Sequence, residues 1–141
     1  WAFQLESIRA NGVWSSPLAP HARFQQISCK DIASFAQHAF NYPDRWMGKT
    51  TEIASYECSV EHIAKDFTKT CGVSIAYRQV PWTDFEKQFG TTMGMVYRTI
   101  ETGFKVDIPT LISKYPEIAL TPIEDCLEDL VSHNVVNSWK I

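Results

Sequence analysis

A tyrosine and a lysine four residues apart on a helix can relay a proton during hydride transfer, because the lysine lowers the tyrosine's pKa. The five tyrosines here are followed four positions later by Trp46, Val60, Pro81, Glu101 and Ala119, and none of these is lysine. A dinucleotide pyrophosphate needs a glycine-lined turn, since only glycine lets backbone amides at a helix start come close. The nearest stretch, GTTMGM with Gly90 and Gly94, lacks the close glycine pair and sits in a helical pattern. Two small residues at that spacing predict close approach of another backbone instead. His21, His38, His62 and His133 are scattered, with no H-E-x-x-H and no Cys/His cluster, so no metal ligand is assigned. No G-x-S-x-G elbow is present. No catalytic and no cofactor-binding residue is therefore named. Glu124, Asp125, Glu128 and Asp129 pair like charges at i, i+4, which predicts a solvated helix face. Trp82, Phe85 and Phe89 fit a pocket wall, but an aromatic stripe at this spacing is core in most cases.

The elements that must position any such groups alternate. WAFQLESIRANG carries Trp1, Leu5 and Ile8 at helical spacing and stops at Asn11-Gly12. VWSSPLAP reads as a short extended piece and RFQQIS as a strand. Asp31 is expected as an N-cap, followed by an apolar face of Ile32, Phe35, Ala36, Ala39 and Phe40. Gln37 and His38 then lie on the wet side, and Pro43 ends the helix. TTEIA predicts a strand after a turn at Gly48. Ser59 caps a helix that buries Val60, Ile63, Ala64, Phe67 and Cys71 and stops at Gly72. VSIAYRQV is a strand with Val73, Ile75 and Tyr77 on one face. A third helical region, from Thr83 to Gly103, places Phe85, Phe89, Met93, Val96 and Ile100 in register and is weakened by Gly90. A short helix is expected near Thr110. Thr121, Pro122 and Glu124 open a last helix with a stripe of Ile123, Leu127, Leu130 and Val131. This alternation gives an α/β class without repeats.

The bounds are broad. With 141 residues, 45% hydrophobic and 13% aromatic, the chain fits one domain and argues against disorder. A net charge of −3 offers no electrostatic footprint for nucleic acid or anionic lipid. Apolar runs are far shorter than the roughly 20 residues that span a bilayer, so no membrane partner is expected. Cys58 and Cys71 bracket one helix, which puts them about 20 Å apart, well beyond the ~7 Å Cα limit of a disulfide. Reduced thiols in the cytoplasm are expected. The helical pattern that starts at Trp1 has no N-cap before it, so the chain is expected to be a piece of something longer.

The order of these signals carries more than any one of them. ISCKDIASFAQHAFNYPDRWMGKTTEIASYECSVEHIAKDFTKTCGVSIAYRQVP resembles the NmrA-like family, atypical relatives of the short-chain dehydrogenases. The likeness lies in the K-D-I helix start, the F-A-x-x-A-F face, a following proline and Gly-Lys, an EIA strand, and a Ser-Val-Glu helix start. YRTIETGFKVDIPTL and LTPIEDCLEDL look like the family's C-terminal segments. The resemblance implies a Rossmann-type fold whose N-terminal, Gly-rich nucleotide-binding unit is lacking here. Residues 1–141 would then be a single partial domain, the C-terminal portion that covers the cleft.

Some members resemble NAD(P)H-dependent oxidoreductases; others resemble redox sensors that act in transcriptional regulation. The resemblance implies NADP or NAD in a full-length parent and none for this chain alone, with no activity of its own. In the parent, Trp82, Phe85, Met93 and Tyr97 are the candidates to line a substrate pocket between the halves. The alternative is a non-enzymatic regulator that binds a protein such as a transcription factor, in the cytoplasm or also the nucleus. A truncated sheet further predicts an exposed apolar patch and self-association.

Overall fold

The computed structural model describes residues 8, 10–72, 74–103 and 105–130. Trp1, Leu5, Val73, Val131 and His133, and the side chains of Cys71 and Leu130, lie outside what is described. Among the described residues the order is β1 (Val13–Ser16), β2 (Arg23–Gln26), α1 (Cys29–Asn41), α2 (Pro43–Trp46), β3 (Tyr56–Ser59), α3 (Val60–Cys71), β4 (Ala76–Gln79), α4 (Trp82–Phe89), α5 (Thr91–Thr102), α6 (Ile108–Lys114) and α7 (Ile123–Leu130). β1 pairs with β4 in parallel, Val13 opposite Ala76 through Ser16 opposite Gln79. β2 pairs with β3 antiparallel, Arg23 opposite Ser59 through Gln26 opposite Tyr56.

α3 forms as its sequence dictates. The Ser59 hydroxyl accepts from the His62 backbone N–H and so satisfies one orphan donor of the first turn. Gly72, at φ 69°, supplies the left-handed stop. Its stripe of Val60, Ile63, Ala64 and Phe67 is buried beside Trp14 and Leu127 in the larger of two cores. Each large apolar side chain so buried contributes about 2–3 kcal/mol. Phe35, Leu111, Tyr115 and Ile118 form the second core, flanked by Ile27, Trp46 and Ile53.

Five sequence expectations are corrected. The cap of α1 is Ser28, whose hydroxyl accepts from the Asp31 backbone N–H at 2.9 Å; Asp31 sits inside the first turn and is only 1% exposed. The helix is also turned about its axis. Phe35 is buried as expected and His38 with it, while Ile32 is 46% and Phe40 85% exposed. At about 100° per residue this is roughly a quarter turn away from the apolar stripe.

The strand expected at Thr50–Ala54 forms instead at Tyr56–Ser59. Ile53 packs on the second core, and Ser55 lies between the two, its N–H donating to the Gln26 carbonyl at 2.8 Å. The third helical region breaks at Gly90, at φ 86°, a value L side chains rarely adopt, giving two helices in place of one. At Gly94 the close neighbour is a side chain, not a backbone: a Cβ there would lie 2.6 Å from the Glu86 side chain.

Candidate functional site

A buried carboxylate fixes α1. Asp31 accepts from the Thr121 backbone N–H at 3.0 and 3.2 Å, from the Thr121 hydroxyl at 2.6 Å, and from the Ser55 hydroxyl. Burial alone would push its carboxyl up; the bonds from Ser55, Thr121 and Ser28 outweigh that and hold it below the ordinary value. One side chain thereby joins α1, the loop before β3 and the loop before α7.

With α1 held so, its last turns bring His38, Tyr42 and Trp46 together at intervals of four residues. The Trp46 indole N–H donates to His38 Nδ1 at 2.9 Å. An indole nitrogen only donates, so Nδ1 carries a lone pair and the ring proton sits on Nε2. Nε2 lies 3.4 Å from Glu117 Oε1. Trp46 stacks on Tyr115 with centroids 4.6 Å apart and planes at 18°, and both rings meet His38 edge-on at 5.7 Å. Arg45 closes the corner, donating to Glu117 Oε1 at 2.5 Å and to the Lys114 carbonyl at 3.1 Å. The Arg45 hydrogen bond draws the Glu117 carboxyl down to about 2.

Beside this corner runs a groove of about 340 Å³. Its lining includes Ser34, Gln37, His38, Asn41, Tyr42 and Glu117. Its volume falls in the ~300–1,000 Å³ range of small-molecule sites. Sequence reasoning placed His38 in water and passed over Glu117. The four-residue spacing of His38, Tyr42 and Trp46 was the available signal, masked by Pro43 between the last two.

The residues expected to line a pocket lie elsewhere, on α4 and α5. Phe85 is 1% exposed, its ring 4.8 Å from Phe89 and 4.7 Å from Tyr97. Trp82 is half-buried with the Arg98 guanidinium 4.1 Å above its ring, and it packs with Tyr97 against the larger core. Met93 is half-buried one turn before Tyr97. Phe85 and Tyr97 thus meet each other as packing partners, with Arg98 linking α5 to Trp82. No group of three or more His, Cys, Asp or Glu among the described residues is arranged to hold a metal ion. No helix among them is long and apolar enough to cross a membrane.

Helices alternating with short strands, one pair parallel and one antiparallel, define a partial α/β fold of the Rossmann-related kind. The NmrA-like family model matches residues 3–124, and the chain belongs to that family. Its fold is similar to the crystal structure of a nucleoside-diphosphate-sugar epimerase from Staphylococcus aureus, with a TM-score of 0.72 at 17% identity. The likeness covers 88% of this chain and 46% of that one, so the chain spans less than half the length of the epimerase. A comparison with curated proteins finds no match.

Proposed function

We propose that this chain is the cleft-covering, substrate-side part of an NmrA-like NAD(P)-binding protein, reductase-like or redox-sensing as a whole and without activity alone. The observation that carries this reading is the outward stripe of α1. Ile32, Ala36 and Phe40 lie one turn apart and face solvent, on a helix whose other side is fixed by Asp31 and Phe35. A stripe of this kind is ordinarily covered. In this reading it docks against the nucleotide-binding half, and the sequence itself holds no glycine-lined turn for a pyrophosphate. NADP or NAD would then be held by the other half, with the substrate between the two. Trp82, Phe85, Met93 and Tyr97 remain the residues assigned to that side, Phe85 being buried and the other three half-buried.

Calorimetry of NADPH, NADP, NADH and NAD against this chain is the test. No heat of binding is expected. Micromolar affinity for any of the four would sink the reading. In a longer parent, Ile32→Ser/Phe40→Ser is expected to weaken the coupling of the two halves, seen as loss of a single cooperative unfolding transition.

A further inference from the structure

The groove beside His38 points away from the stripe to which the proposed function gives the nucleotide half. On a helix of 3.6 residues per turn, Ser34, Gln37, His38 and Asn41 centre about 150° from Ile32, Ala36 and Phe40. A ligand in the groove therefore lies outside a cleft formed at the stripe, and its identity has to be read from the groove alone.

Charge narrows the choice first. Glu117 is the one ionised residue of the lining, and Arg45 holds it at 2.5 Å. A phosphate or carboxylate ligand would face that carboxylate, and a cation would have to displace Arg45. Neutral hydrogen bonding is what the groove offers. The side-chain amides of Gln37 and Asn41 make no hydrogen bond among the described residues, and each presents a donor and an acceptor in one plane. They stand one helical turn apart, about 6 Å, which is the span of a small ring. The Ser34 hydroxyl donates to the Lys30 carbonyl and keeps its lone pairs for an incoming donor. The half-exposed Tyr42 ring, with the His38 ring 4.6 Å away, adds apolar surface to the same groove, and Ile118, 7% exposed, lies at its edge as part of the second core. His38, 6% exposed, is locked by Trp46 with its proton on Nε2 and steadies the Glu117 side of the groove.

We infer that this groove binds a neutral polyhydroxylated ring, a single pyranose unit, with adjacent hydroxyls on Gln37 and Asn41 and a C–H face on the Tyr42 ring. Paired hydroxyls match planar amides, and the hydrogens of the ring face match an aromatic surface. The site is independent of NAD(P) binding.

Protein-observed NMR on the intact chain reads this directly. Methyl glucoside, methyl galactoside and N-acetylglucosamine are titrated, alongside a nucleoside diphosphate sugar. Shifts in the Gln37 and Asn41 side-chain amides and the His38 ring are expected from at least one free sugar, and no weaker from the free sugar than from its nucleotide-linked form. Gln37→Leu/Asn41→Leu, both surface positions, is expected to lower the affinity by roughly tenfold or more while keeping the thermal midpoint, because two hydrogen-bonding amides are lost. Ile32→Ser/Phe40→Ser is expected to leave sugar binding unchanged, which keeps failure of the groove separate from failure of the docking stripe. No shift with any free sugar, shifts only with the nucleotide-linked form, or an undiminished response in the leucine variant would each overturn the assignment.

Discussion

Asp31 and Thr121, 90 residues apart in sequence, are joined by three hydrogen bonds that end on one buried carboxylate. This contact decides which side of α1 turns inward. Asp31→Ala leaves the Thr121 and Ser55 donors without their partner, and hydrogen bonds to a charged group contribute about 1.5–3 kcal/mol each. A loss of about 3 kcal/mol in urea denaturation is expected, with Asp31→Asn intermediate. Wild-type stability in Asp31→Ala would refute the role given to this carboxylate.

The acid limb follows from depressed carboxyls, those of Asp31 and Glu117 together with Glu57 and the exposed Asp107, each held down by hydrogen bonds. Asp31 and Glu117 both have folded-state pKa values below their unfolded ones. Their contribution is complete above the unfolded carboxylate values near 4 and is lost as pH falls through the folded values, for Glu117 at about 2. Stability is therefore expected to decline below about pH 4. Glu117→Gln should flatten part of that decline; an unchanged acid limb in the variant would count against the Arg45 pairing.

The quarter turn of α1 is tested by contrast. Phe35→Ala is expected to cost about 3–5 kcal/mol because it empties a packed site. Ile32→Ser and Phe40→Ser should each change stability of this chain by no more than about 0.5 kcal/mol. Those two substitutions are also expected to reduce binding of a hydrophobic dye and any concentration-dependent sedimentation. Equal costs for Phe35 and Phe40 would mean that the helix is buried on its apolar stripe after all.

His38 gives a spectroscopic prediction. Nitrogen-15 shifts of its ring should show one tautomer, with the proton on Nε2, because Trp46 occupies Nδ1. Trp46→Phe removes that constraint and should produce a mixture. A wild-type ring already averaging between tautomers would contradict the hydrogen bond.

What the sequence revealed depended on where each partner lies. The cap and stop of α3 were legible, and so was its stripe at Val60, Ile63, Ala64 and Phe67, because those residues meet neighbours inside this chain. The same pattern in α1 misled, since the stripe faces solvent while a polar network buries Asp31 and His38 on another side. Periodicity reports that a face is apolar but not what covers it. β3 began later than expected because Ile53 and Ser55 serve the second core and Asp31 before pairing starts. Of the groove, Gln37 and His38 were both placed on the wet side; Gln37 is exposed there and His38 is buried. Glu117 reaches it through long-range chain reversal, which no local spacing encodes.

The two sheets differ in how far along the chain their partners lie. Gln26 and Tyr56, on β2 and β3, are 30 residues apart, whereas Ser16 and Tyr77, linked across β1 and β4, are 61 apart. During synthesis β2 and β3 can therefore join while β4 is still being made, and the Trp14 strand must wait with its apolar surface uncovered. Because distant pairings form slowly, the parallel pair is the later of the two to close.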